Sequence, residues 1–145
     1  MDGLEASIKI ESNQIISHNF EEKNQYQING KIYFNNHEYF IRYKEPDLGN
    51  TWTIIKWNNL NVNKVSILRQ GEIRTEQIFE EQKIYKANYR SPSGDIQLAT
   101  FTKELSIRLL NKWEGNIFLA YELTSQGEYI GEYRIKINFK GIKDG

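Results

Sequence analysis

The stretch Ile28-Asn29-Gly30-Lys31-Ile32-Tyr33-Phe34-Asn35-Asn36-His37-Glu38-Tyr39-Phe40-Ile41-Arg42-Tyr43 decides the fold. Two runs rich in β-branched and aromatic residues flank Asn35-Asn36, a dipeptide that tolerates the positive φ of a tight hairpin turn. A two-residue turn there sets Phe34 against His37, Ile32 against Tyr39, Gly30 against Ile41, Ile28 against Tyr43 and Tyr26 against Glu45. These residues share one side of the ribbon, apolar near the turn and polar toward Glu45. Gly30 interrupts a well-patterned strand, where glycine is kept if the sheet bends sharply or another backbone comes close.

The same alternation extends down the chain. Val65, Ile67, Arg69, Ile73, Thr75, Gln77 and Phe79 are of one parity and mostly apolar or uncharged, whereas Ser66, Leu68, Arg74, Glu76, Ile78 and Glu80 read as solvated. A three-residue turn at Gln70-Gly71-Glu72 keeps those faces consistent, with Val65 opposite Gln77, Ile67 opposite Thr75 and Arg69 opposite Ile73. Arg69 is then an inward charge. A buried charge left unpaired is disfavoured by several kcal/mol, so it calls for a partner, a ligand or a wet interior.

Tyr85, Ala87 and Tyr89 alternate with polar residues up to a tight turn at Ser91-Pro92-Ser93-Gly94. Ile96, Leu98, Thr100 and Thr102 then share a face. Leu105 to Trp113 reads as a strand fraying into a loop, because Leu105, Leu109 and Trp113 also suit a helical face. Ile117, Leu119, Tyr121 and Leu123 form a strand, joined around Gln126-Gly127 to another bearing Tyr129, Tyr133, Ile135, Ile137 and Phe139.

From Ser7 to Phe139 this gives eight to ten antiparallel strands with short turns, no internal repeat and no linker. The reading is all-β, one domain over residues 1–145, built as an up-and-down barrel. Closure hides the edges of so long a meander, and a barrel of about eight strands is just wide enough for packed side chains or one small ligand. A two-sheet sandwich is the alternative, and the steady succession of hairpins favours the barrel.

Composition narrows the function. The 145 residues contain 19 basic and 19 acidic side chains, so the electrostatic footprint of phosphate-backbone binding is absent and nucleic acid is not an expected partner. No cysteine is present, which excludes disulfides and thiolate chemistry. Met1 to Glu11 shows no basic segment followed by an apolar one, and no apolar run approaches 18 residues; a cytoplasmic protein without membrane association is expected.

On these residues the chain resembles the YwiB-like family of uncharacterised bacterial proteins, which has a calycin-like (lipocalin-like) β-barrel. The likeness runs from about Ser7 to Phe139. Its carriers are Tyr43-Lys44-Glu45-Pro46-Asp47-Leu48-Gly49 followed by Thr53-Ile54-Ile55-Lys56, then Leu68-Arg69-Gln70-Gly71, Tyr89 through Gly94 with Thr100 and Thr102, and Ala120-Tyr121. Order and spacing carry it, since no single motif is specific. Pro92 and Ser93 depart from it, standing where a freer turn with an aromatic residue is expected. The resemblance implies a fold and no activity; calycin barrels as a class often bind small hydrophobic or amphipathic molecules, which is an analogy of fold.

The face assignments place Tyr43, Glu45, Arg69, Thr75, Gln77, Thr100, Thr102 and Tyr121 inside the barrel or at its mouth. A few convergent polar groups on an apolar wall are what a binding site needs. Two readings stay open: an Arg69–Glu45 ion pair closing one end of the barrel, or contact with a small apolar or amphipathic ligand carrying an anion near Arg69. For Lys56, the phase with Trp52 and Ile54 inside and the phase with Ile55 and Trp57 inside are equally readable. His18 and His37 lack metal-ligand spacing, so no metal is expected, and His37 as a haem ligand is weaker than His37 as a solvated turn residue. No catalytic residues are identifiable, no cofactor is expected, and an enzyme or a filled interaction barrel ranks below a binding module. A monomer or weak homodimer is expected.

Overall fold

The computed structural model describes residues 3–17 and 20–142; His18 lies outside the described residues. Among the described residues, ten strands form one antiparallel sheet: β1 (Leu4–Ser17), β2 (Phe20–Asn35), β3 (Glu38–Lys44), β4 (Thr51–Asn58), β5 (Asn61–Gly71), β6 (Thr75–Glu80), β7 (Ile84–Ser91), β8 (Gly94–Asn111), β9 (Glu114–Ser125) and β10 (Glu128–Gly141). Their spatial order is β6-β5-β4-β3-β2-β1-β10-β9-β8-β7. Consecutive strands are neighbours, and β1 pairs with β10. The sheet curls until β6 and β7 meet at a bridge between Arg74 and Arg90, giving a nearly closed barrel.

The deciding hairpin forms one residue later than expected. Its turn is Asn36-His37, with φ of 52° and 67°, the doubly positive pair that matches the twist of a two-residue hairpin. Asn35 therefore faces Glu38, Phe34 faces Tyr39 and Ile32 faces Ile41. This register brings the Phe34 and Tyr39 rings to 4.6 Å between centroids. It is offset from the expected one by two residues in the pairing sum, so every side chain keeps its face. His37 is exposed at the turn.

The β5–β6 turn differs in the same way. Arg69 faces Thr75, Ile67 faces Gln77 and Val65 faces Phe79, leaving five residues between the paired ends where three were expected. The cause is β4, which pairs Trp52 with Gln70 and Thr51 with Gly71 and so holds β5 extended past its β6 ladder. Leu105 to Asn111 belongs to β8 throughout, correcting the expectation of a fraying strand; paired with β9, the segment continues to the Lys112-Trp113 turn. A bulge between Thr102 and Glu104 switches its parity, so that Thr100 and Thr102 point inward before it and Leu105, Ile107 and Leu109 after it. A second bulge between Tyr129 and Gly131 turns Tyr129 outward, where it is 59% exposed.

The interior divides by polarity along the barrel axis. The end bearing the Asn36-His37 turn is apolar and filled: Tyr39 and Trp57 stack at 4.8 Å, Trp57 meets Phe139 at 5.7 Å, and Tyr39 Oη donates to the Lys112 carbonyl at 3.0 Å. Ile8, Ile32, Ile41, Ile55, Ile117 and Leu119 are fully buried between. The opposite end holds the polar residues. Gly30 marks the point where the walls part, because the β2–β3 ladder ends at Lys31–Arg42 and a Cβ at Gly30 would overlap the Arg42 carbonyl oxygen and Ile8 Cδ1. That close approach is what the glycine allows.

Candidate functional site

Glu45 follows the last residue of β3 and turns back into the barrel, its backbone N–H donating to the Thr51 carbonyl at 2.9 Å. Its side chain is 6% exposed and that of Arg69, arriving from β5, 22%. Arg69 Nε lies 3.7 Å from Glu45 Oε1, close enough for strong attraction and too far for a hydrogen bond. Thr53 Oγ1 donates to the same Oε1 at 2.6 Å, and Tyr26 Oη donates to Oε2 at 3.2 Å. The carboxylate is thus satisfied at both oxygens. Arg69 Nη1 reaches Gln77 Oε1 at 3.5 Å, whereas Arg69 Nε has no hydrogen-bond partner among the described residues.

The structure brings all eight expected residues inward. Tyr43, Glu45, Thr75, Gln77, Thr100, Thr102 and Tyr121 are buried, and Arg69 reaches the mouth. A chain of polar contacts leads from Glu45 through Arg69 and Gln77 to Thr100, to which Gln77 Nε2 donates at 3.4 Å. Thr75 and Thr102 stand apart from it, their hydroxyls unpartnered among the described residues. Tyr121 packs between Phe79, 4.9 Å away edge to face, and Tyr133, stacked at 5.4 Å. Lys56 lies on the outer face, opposite Phe40 and Ser66, while Ile55 and Trp57 point inward.

Burial sets the ionisation of the tyrosines. Tyr26 is pushed up to about 12 from an ordinary 10.0, first by burial and then by the charge of Glu45. Tyr43 is held well above its usual value by burial, reinforced by Glu45 and Tyr26. Burial also raises Tyr121, and the nearby Arg69 opposes the shift. These hydroxyls remain protonated at neutral pH, and that of Tyr26 donates to Glu45.

Beside the pair lies a cavity of about 230 Å³. Ile10, Ile55, Ile67, Ile135 and Ile137 form its apolar wall; Ser12, Asn24, Tyr26, Tyr43, Glu45 and Arg69 supply polar groups, with Asp47 and Leu48 from the β3–β4 connection completing its border. The cavity thus lies where β2 parts from β3 beyond Gly30. The sequence reading omitted Tyr26, Thr53, Ser12 and Asn24 from the site. Thr53 was within reach, since it shares parity with Ile55 and Trp57, but the competing phase through Trp52 and Ile54 left it unassigned. Among the described residues no group of His, Asp or Glu is placed to hold a metal ion.

A ten-stranded antiparallel barrel, filled with apolar side chains at one end and holding a partly buried ion pair beside a small cavity at the other, is the class that fold and site define. The chain belongs to the family described as "Domain of unknown function (DUF1934)", whose match covers residues 8–137. A relative, the "Uncharacterized beta-barrel protein YwiB" of Bacillus subtilis (strain 168), is 28% identical over 106 residues, covering 73% of this chain and 72% of the relative. The crystal structure of the ywiB protein from Bacillus subtilis superposes with a TM-score of 0.83 at 22% identity, covering 97% of this chain and 94% of that one. At that identity the likeness shows the fold.

Proposed function

We propose that the protein is a calycin-like binding module that holds a small amphipathic molecule in the cavity beside Arg69. The observation that carries this reading is the mixed lining of one cavity, where five isoleucines, Ile10, Ile55, Ile67, Ile135 and Ile137, meet the Arg69, Tyr26 and Glu45 cluster. A few placed polar groups on an apolar surface are the usual form of a small-molecule site. Size limits the occupant. The cavity of about 230 Å³ falls below the ~300–1,000 Å³ of drug-sized pockets, so it suits a short chain or a single ring.

The test is native mass spectrometry of the protein as isolated from its source cells, compared with two variants. Ile67→Trp fills the cavity and Arg69→Met removes the cation; circular dichroism verifies that each retains its β-sheet. Loss of a bound small molecule in both variants supports the reading. The competing reading, in which Arg69 and Glu45 only close the barrel end, is favoured if the bound species are the same in all three proteins.

A further inference from the structure

We infer that the occupant of this cavity is a short extended peptide segment, which pairs antiparallel with the open edge of β2 and places one apolar side chain among the isoleucines. The inference rests on the binding role proposed above and names the class of partner.

The open edge is the first ground. Asn35 and Glu38 close the two-residue turn, so the backbone groups of the odd-numbered β2 residues point toward β3. That ladder stops at Lys31–Arg42, whereas β1 stays paired with β2 down to Phe20. From Asn29 back to Glu21 the β3-facing N–H and C=O groups therefore have no backbone partner among the described residues. Such a row of alternating donors and acceptors is a template for one more strand. Gln25, Gln27 and Asn29 are exposed, and the Gln27 side chain turns toward β1, donating to Ser7 Oγ at 2.7 Å, away from the open edge.

The cavity is the second ground, and it lies on the same opening. Asn24 and Tyr26 line it from β2, with Asp47 and Leu48 on the far side. In a strand added to β2, every second side chain points as Tyr26 does, into the barrel. Edge and cavity thus fit one ligand, a backbone for the first and an apolar side chain for the second. A molecule without a peptide backbone fills the cavity and leaves the edge unpaired.

The surroundings narrow the partner. From Asn24 to Gly30, β2 carries no ionised side chain, so the matching segment is uncharged there. A second copy of this chain fits poorly: its own β2 edge is backed by β1, and the Asp47-Leu48 connection bounds the opening on the side where that β1 must lie. Self-pairing moved toward the tip, centred on Glu22 or Lys23, sets like charges directly opposite one another.

Titration of the nitrogen-15-labelled full chain with acetyl-Thr-Gln-Leu-Gln-Thr-amide, followed by NMR, tests the inference. With the peptide leucine opposite Tyr26, its two glutamines face Gln25 and Gln27, whose amide signals are expected to move downfield as hydrogen bonds form. N-methylation of both peptide glutamines blocks the N–H groups directed at β2, and alanine in place of the leucine leaves the cavity empty. Each change is expected to weaken binding at least about tenfold. In the protein, Gln25→Pro removes one edge N–H without touching the β1 ladder, and the same loss is expected. If that variant does not fold, the peptide series on wild type alone decides. An N-methylated peptide that binds as tightly as the parent overturns the inference, and so does an alanine peptide that does. Shifts at Gln25 and Gln27 that grow with protein concentration alone assign the edge to a second copy and overturn it too. Binding of none of the three peptides overturns the inference, while the binding role is decided separately by the native mass spectra of wild type and Ile67→Trp.

Discussion

Arg69 and Glu45 are paired without being hydrogen-bonded. The Nε to Oε1 distance is 3.7 Å, while Thr53 donates to that same oxygen at 2.6 Å. The carboxylate is gripped by hydroxyls from β2 and β4; the guanidinium is held by attraction and by a long contact to Gln77 at 3.5 Å. The two partners therefore depend on each other unequally, and the more buried one is the more vulnerable to losing its mate.

Arg69→Met leaves a carboxylate that is 6% exposed without its cation. Breaking a buried pair from one side costs about 3–5 kcal/mol, and the two hydroxyl donors bring the expected loss to the lower end, about 3 kcal/mol. Glu45→Gln leaves a guanidinium that is 22% exposed and able to turn its head to solvent, so its expected loss is nearer 1 kcal/mol. The double variant is expected to be more stable than Arg69→Met alone, because no unpaired charge remains inside. Urea unfolding of the three proteins measures all three values. A double variant less stable than Arg69→Met would show that the pair is not the source of the loss.

Alkaline pH is expected to loosen the polar end. Tyr26 ionises near 12 in the folded chain against an ordinary 10.0, and Tyr43 is shifted in the same direction. With the folded values raised, the unfolded chain releases these protons first. The stabilisation is complete below pH 10 and falls as pH rises from about 10 to 12. Tyrosinate absorbance and denaturant midpoints measured across that window are expected to change together. Since Glu45 is the second cause of the Tyr26 shift, Glu45→Gln is expected to bring the Tyr26 ionisation down. A midpoint that stays constant from pH 10 to 12 would contradict the assignment.

Much of this arrangement is legible in the sequence because a strand has a period of two. Both turns were displaced, Asn35-Asn36 to Asn36-His37 and the Gln70-Gly71-Glu72 loop to five residues, yet each displacement changed the pairing sum by two and left every face intact. Arg69 was visible as an inward charge for that reason. Bulges are a different matter, since one extra residue reverses parity, and nothing in the side chains around Lys103 or Ile130 announces it. Thr53 was obscured by Trp52, an aromatic residue kept on the outside by stacking with Arg42, whose guanidinium lies 3.9 Å from the ring centroid. The cavity was beyond reach of the sequence, because it depends on where β2 leaves β3 and on how far the side chains of the ladder fill the space behind.

The weakest line in the barrel is the seam between β6 and β7. These strands are consecutive, and continuation of the Arg74–Arg90 register would place Glu80 opposite Ile84 as in an ordinary hairpin. Backbone bonds nevertheless join them only at Arg74 and Arg90 among the described residues, 3.0 Å one way and 2.9 Å the other. Two exposed arginines thus face each other across the bridge that closes the sheet, and like charges directly opposite on neighbouring strands are destabilising. Arg74→Glu is expected to replace repulsion with attraction while leaving Arg90 opposite its other cross-strand partner, Asp95, and to stabilise the protein by about 0.5–1 kcal/mol at low salt, with the gain shrinking as salt screens the pair. Hydrogen exchange provides the local readout. In wild type, the backbone N–H groups of Glu76, Ile78, Lys86 and Asn88, which by alternation point into the unbonded part of the seam, are expected to exchange faster than those of Arg74 and Arg90. Arg74→Glu is expected to slow exchange at the two bridging residues specifically. Equal protection along the seam in wild type would mean that the ladder is continuous in solution, and the charge reversal would then have no weak point to strengthen.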